Sequence, residues 1–223
     1  MAFTTSQLKT KLSTLILTED VRKMFRDIID SAAVRGEDAT LGNIVVDGLQ
    51  LTDTYYDDLR FPATGINPPG AASDPDRDTT DGTLLFDAAS TEIIVGVAQL
   101  PHSYKYGTNI TAHIHWCPTN TNTGNVYWRF EYELQEIGGI FTGFTTANTL
   151  EVADGVAEKH QIHGLATIDG SAVDSVSAII KWKLSRIGGD ATDTYNADAR
   201  LLELDFHYQI DGFGSDDEYT KSF

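Results

Sequence analysis

Apolar side chains recur at every second residue over several long stretches of this chain, and that alternation constrains the fold more than any other feature. "NVYWRFEYEL" places Val126, Trp128, Phe130, Tyr132 and Leu134 on one face, with Tyr127, Arg129, Glu131 and Glu133 on the other. Successive side chains of an extended strand point to opposite sides of a sheet, so this is the signature of a half-buried strand. "VSAIIKWKLSR" repeats it with Val176, Ala178, Ile180, Trp182 and Leu184. "RLLELDFHYQI" sets Leu202, Leu204, Phe206, Tyr208 and Ile210 against Glu203, Asp205 and His207. "TEIIVGVAQLP" is apolar on both faces and reads as a central strand.

Further strands are expected near 44–51, 83–87, 110–117, 145–152 and 159–168. Turn signals such as "NTNTGN", "EIGG", "ADG", "IDG" and "IGGD" separate them, giving about eight or nine strands in all. No long helical pattern intervenes, so a parallel α/β sheet is disfavoured. The expectation is all-β: an antiparallel β-sandwich of jelly-roll type over residues 43–223. No internal repeat is visible. Residues 1–42 read as a short N-terminal helical extension for attachment or oligomerisation. Leu8, Leu12 and Leu15 fall on one helical stripe, and Val21, Met24, Phe25, Ile28 and Ile29 on a second. Thr18 is placed to cap the second helix and Gly36 to end it. These stripes pack either on their own domain or on a partner.

Charge narrows the partners. Lys and Arg number 16 against 33 Asp and Glu, a formal charge of −17, which repels phosphate backbones and anionic lipid surfaces alike. Nucleic acid and membranes are therefore not expected as partners. The single cysteine, Cys117, excludes an internal disulfide framework and a Cys-rich zinc site. The first residues contain no apolar run long enough for a signal peptide or a membrane span, so synthesis and folding in a cytoplasm are expected.

Two stretches have the spacing of metal-ligand sets. "GTNITAHIHWCP" puts His113 and His115 on the same side of one strand, where both imidazoles can reach one ion. Gly107 and the two histidines resemble the opening of the cupin metal motif, and a cupin-like metal-dependent enzyme is the reading that resemblance implies. The glutamate that cupins place three or four residues further on is absent; Thr119 and Asn120 stand there. His207, beside Glu203 or Asp205, completes such a site if the strands are neighbours. The competing reading is a polar strand face, with Ile114 and Trp116 turned into the core. "DPDRDTTDG" spaces Asp74, Asp76 and Asp78 like the first ligands of a calcium loop. The sixth and twelfth positions are Thr79 and Leu85, so this is no EF-hand; a looser calcium loop and a solvated acidic turn are the alternatives. Nucleophilic catalysis finds no G-x-S-x-G elbow, and no Walker or dinucleotide glycine motif occurs. Glu131 and Glu133 share a polar strand face, without support for a glycosidase pair. Trp116, Trp128 and Trp182 are in phase with aliphatic residues and read as core. No catalytic residues and no cofactor are expected.

Several stretches together, "YYDDLRFPATGINPPGAASDPDRDTTDGTLLFD", "HIHWCPTNTNTGNVYWRFEYE" and "LSRIGGDATDTYNADARLLELDFHYQIDGFGS", resemble tailed-bacteriophage and prophage virion structural proteins. The resemblance spans roughly residues 50–218. It implies a jelly-roll protein of the capsid decoration (cement), head-fibre or tail-appendage type, a homotrimer assembled in the host cytoplasm into a virion. Its partners would be its own copies and the major capsid protein or another virion protein. A tail module that recognises host glycans is the alternative. The stretch 55–82 is broken by Pro62, Pro68, Pro69 and Pro75 and reads as an ordered arm. Tyr55, Tyr56, Phe61, Ile66, Pro68 and Pro69 are its expected contacts to a neighbouring subunit, together with Leu8, Leu12 and Leu15. The arm covering the end of its own sandwich is the other reading.

Overall fold

The computed structural model describes residues 54–215 and 217–221, plus Lys23 and the residues of two short strands before them. The chain divides into two compact units, Met1–Thr52 and Asp53–Phe223. In the first, β1 (Ile44–Val45) pairs antiparallel with β2 (Gly48–Leu49), so the strand expected over 44–51 is a small hairpin. Lys23 is helical. Leu8, Leu12, Leu15 and the second expected stripe lie outside the described residues.

The second unit is a two-sheet antiparallel β-sandwich of jelly-roll type. Its strands are β3 (Tyr55–Pro62), β4 (Asp76–Arg77), β5 (Leu84–Phe86), β6 (Thr91–Gln99), β7 (Ile110–Pro118), β8 (Thr123–Gln135), β9 (Thr145–Asp154), β10 (Gln161–Ile168), β11 (Ile179–Ile187) and β12 (Ala199–Ile210). One sheet runs β10-β7-β12-β5-β4, with β3 also paired along β12; the other runs β6-β11-β8-β9. Every strand anticipated between residues 83 and 210 is present.

The inner faces meet in an aromatic core. Trp116, Trp128, Phe86 and Phe206 are fully buried, and Trp182 and Phe130 nearly so. Edge-to-face contacts cross the gap: Phe86 to Trp128 at 5.4 Å, Trp116 to Trp128 at 6.3 Å and Phe61 to Trp182 at 5.5 Å. Such pairs add to area burial because ring edges carry positive and faces negative charge. Gly96 on β6 lies under the Trp182 ring, where a Cβ would stand 2.2 Å from the indole.

Three expectations are corrected. β6 is an edge strand, with Val95 and Val97 exposed, because β11 pairs it on one side only. Apolar residues on both faces of a strand signal two covered faces, which an edge strand meets only in part. The stretch 55–82, expected as an ordered arm without regular structure, begins as a strand: its first eight residues form β3, registered on β12 from Tyr55↔Ile210 to Pro62↔Glu203. Proline closes that strand and is tolerated at its end. Beyond it, Ala63 and Ile66 are buried in the core of their own sandwich. The Arg77 guanidinium binds the carbonyls of Ala63, Ile66 and Gly82, tying the segment down. Third, Leu202 is not in phase with Leu204. A β-bulge between Leu201 and Glu203 puts Leu201 in the core and leaves Leu202 half-buried. One extra residue reverses the parity of a strand.

Candidate functional site

The outward face of the six-stranded sheet gathers four of the six histidines of the chain. On β7 the inward residues Ile110, Ala112, Ile114 and Trp116 are all fully buried, which turns Thr111, His113 and His115 outward. β12 runs beside it with Asp205 opposite His113, Glu203 opposite His115 and His207 opposite Thr111. β3 adds Arg60 opposite Asp205 and Asp58 opposite His207. His160, one residue before β10, reaches over His115. The bulge at Leu201/Glu203 makes this alignment: without it, Glu203 and Asp205 could not share a face with Arg200.

His113 Nε2 lies 2.8 Å from Asp205 Oδ1, and His115 Nε2 lies 3.3 Å from Oδ2. The two imidazoles and the carboxylate offer ligand atoms all within 4.8 Å of one another, the only set of this kind among the described residues. Asp205 is 3% exposed, and its Oδ1 has no hydrogen-bond partner beyond the ion-pair contact with His113. The short contact with Asp205 raises the pKa of His113; burial opposes the rise, and the charges of Asp205 and Asp58 add to it. His115 Nδ1 is 2.6 Å from His160 Nε2. Around this cluster the charges pair off: Arg60 forks onto Glu203 at 2.5 and 2.7 Å, and His207 Nδ1 meets Asp58 at 2.7 Å. Tyr56 stacks on His207, centroids 4.6 Å apart. An open pocket of about 420 Å³ lies on this face, lined by Asp58, Arg60, His115, His160, Leu202, Glu203 and Asp205.

His113 and His115 are thus brought to Asp205. His207 stands next to the group, its ring centroid 6.1 Å from that of His113, but pairs with Asp58 instead. The three aspartates of 74–78 are not brought together into a ligand set. Asp74 Oδ2 accepts the Gly70 N–H at 2.6 Å, and Asp76 is exposed on β4. Arg200 Nη1 occupies the space beside Asp78 and Asp81, at 2.7 and 3.1 Å. A guanidinium already balances the charge that a calcium loop would present, so the acidic-turn reading describes this segment. Of the expected subunit contacts, Tyr55 and Tyr56 are exposed, Pro69 is exposed and Pro68 half-buried. Phe61 and Ile66 face their own core instead, Phe61 wedged between Trp182 and Phe206.

Other candidate groups have structural work. Glu133 accepts the N–H groups of Thr142 and Gly143, and Glu131 pairs with Lys183 at 3.5 Å. Burial pushes the Cys117 thiol up to about 12, so it is inert as a nucleophile near neutral pH. Asp58, Arg60 and His160 were missed from the sequence. Alternation in "DDLRF" would have found the first two, had the prolines that follow not marked the whole stretch as loop.

No family model matches the chain, and no curated protein matches it. Similar solved structures include the CBM36-1 domain of a multidomain xylanase from the hindgut metagenome of Trinervitermes trinervoides, 11% identical, with a TM-score of 0.37. That alignment covers 67% of this chain and 96% of that one. The CBM35 from Cellvibrio japonicus Abf62 is 15% identical over 67% of this chain and 92% of that one, with a TM-score of 0.38. The isomalto-dextranase of Arthrobacter globiformis T6, complexed with panose, matches 67% of this chain and 23% of its own length, at 15% identity and a TM-score of 0.35. Likeness of this degree carries no argument about this chain.

Proposed function

We propose that this chain is a non-enzymatic structural protein of a tailed-phage particle, a homotrimeric decoration (cement) or head-fibre protein that binds and braces the capsid surface. One observation supports it beyond the sequence resemblance: the sandwich has a fully buried aromatic core and further apolar side chains left outside it. Where the edges of β9 and β10 meet, Leu150 and Val152 project from the outer face of one sheet, 48 and 56% exposed, and Ile162 from the outer face of the other, 59% exposed. Gln161 Nε2 bonds the Val152 carbonyl across this seam, which holds the two edges together. Half-exposed aliphatics on the outer faces of edge strands are a docking surface or an aggregation liability. In a symmetric assembly each such contact is repeated in every copy. Light scattering on the size-exclusion peak tests the reading. The expected mass is about three times the 24.4 kDa of the chain, falling to one chain in L150E/V152E with an unchanged circular dichroism spectrum. A monomer of the unmodified protein at micromolar concentration overturns it.

A second reading, a tail module gripping a host glycan, is favoured by the open pocket on the six-stranded sheet. The pocket offers the donors and acceptors of Asp58, Arg60, Glu203 and His160, and exposed Tyr56, two residues before Asp58 on β3, offers a ring stacked on His207. Glycan-array binding that Y56A abolishes would support it, and a blank array would remove it.

A further inference from the structure

We propose that His113, His115 and Asp205 form a binding site for one divalent transition-metal ion of the zinc class, open toward the pocket of the six-stranded sheet. The argument begins with spacing. Nitrogen and carboxylate ligands stand about 2.0–2.2 Å from such an ion, so adjacent ligand atoms are roughly 2.8–3.6 Å apart at octahedral to tetrahedral angles. The two imidazole-to-carboxylate separations, 2.8 and 3.3 Å, fall in that range. The second observation is independent of spacing. Asp205 is almost fully buried, and the 2.8 Å contact of its Oδ1 with His113 Nε2 is an ion pair with no aligned hydrogen bond. A buried carboxylate oxygen without a donor is costly unless a cation compensates it.

The surroundings have the form that a metal's outer shell requires. His115 Nδ1 engages His160 Nε2; donation from Nδ1 fixes the tautomer that leaves the His115 Nε2 lone pair for the ion. Arg60, the guanidinium opposite Asp205, is held by both oxygens of Glu203, and His207 is held by Asp58. The donor set decides the class of ion. Two imidazoles and one carboxylate suit borderline ions such as Zn²⁺, Co²⁺ or Ni²⁺, whereas Ca²⁺ takes six to eight oxygens. The three protein ligands leave further coordination positions toward the pocket, where Leu202, displaced by the bulge, and Glu203 form the wall. The inward face of the same strand is filled by Ile114 and Trp116, so the site is on the surface of the sandwich and not inside it. This proposal is independent of the assembly reading; neither outcome of the light-scattering experiment bears on it.

The test uses the full chain, stripped with chelator and dialysed against Zn²⁺, with bound metal counted by mass spectrometry. One ion per chain is expected. D205N and H113A should each weaken binding by roughly a hundredfold or more, and H160A by about 10–100-fold. H102Q, on a histidine that contacts Ser177 and Ser215 away from the site, should leave binding unchanged. Melting of each metal-free variant separates loss of a ligand from loss of the fold. Should a variant fail to fold, the unmodified protein loaded with Co²⁺ decides: intense visible bands of a low-coordinate nitrogen and oxygen site support the proposal. A spectrum identical to that of aqueous cobalt, with no ion retained by the protein through gel filtration, overturns it. So does the absence of bound metal, which would leave His113 and Asp205 as a simple ion pair, or binding indifferent to D205N, which would mark adventitious histidines.

Discussion

Replacing Asp193 with alanine should unfold this protein more readily than any other loss of a single carboxylate. The side chains of Arg186, on β11, and Asp193, in the Gly- and Asp-rich connection to β12, are both fully buried. The guanidinium donates to Asp193 Oδ2 at 2.9 Å and Oδ1 at 2.8 Å. It also donates to the carbonyls of Phe86, Ala197 and Tyr195, so it joins β5, β11 and the connection at one point. Asp193 further accepts the Tyr127 N–H at 3.0 Å, adding β8. Asp193→Ala removes two charge-assisted bonds at about 1.5–3 kcal/mol each and leaves a buried cation among carbonyls. Breaking one side of a buried pair costs about 3–5 kcal/mol, in agreement with that count. Urea unfolding followed by the fluorescence of the three core tryptophans measures it. The loss should be near 4 kcal/mol, a large part of the roughly 5–15 kcal/mol that holds a typical domain folded. The double replacement R186M/D193L, which leaves no buried charge, should lose much less than the sum of its single changes. A loss under about 1 kcal/mol for Asp193→Ala, or additive single and double losses, would refute the reasoning.

Three further outcomes follow from the packing. Gly96→Val drives a branched side chain into the Trp182 indole and should cost about 1–3 kcal/mol, with altered near-ultraviolet dichroism; a neutral result means the indole is not seated there. Burial raises the Glu92 carboxyl from its ordinary 4.5 to about 7, opposed by the hydrogen bond it accepts from the Asp87 N–H. The folded state then holds a proton that the unfolded state has released, so this contribution is complete below pH 4.5 and lost as pH rises through 7. The difference is at most about 3 kcal/mol, reduced by solvent screening to about 1, and Glu92→Gln should remove this fall; an unchanged pH profile contradicts the assignment. Native Cys117 should react with a thiol reagent only at the rate of unfolding, and rapid reaction at pH 8 would show the thiol is not buried.

Strand periodicity made most of the sandwich readable. Alternation in residues 125–134, 176–186 and 204–210 identified the buried side chains because both faces of each strand have opposite environments. The same rule reads only the second half of β3, where Leu59 and Phe61 alternate with Asp58 and Arg60; Tyr55, Tyr56, Asp57 and Asp58 are all exposed on an edge strand and give the first half no burial contrast. It slipped by one residue at Leu202, since a bulge leaves no mark in a sequence that is apolar at both 201 and 202. The site was half legible. His113-x-His115 announced two same-side imidazoles, and Asp205 and His207 lay on a polar strand face. Which strand lies beside which is a property of long-range pairing, and no local pattern carries it. His160 sits outside any strand and reaches His115 only because β10 pairs with β7.

The account depends on this sandwich acting through its surfaces, as one repeated part of a larger particle. Electron cryo-microscopy of particles purified from cells carrying the gene tests that most directly. The prediction is density for the two-sheet sandwich on the capsid or tail exterior, in threefold sets, with the β9–β10 seam covered by a neighbouring chain. Particles that lack this protein entirely, while it persists as a free monomer in the lysate, would contradict it.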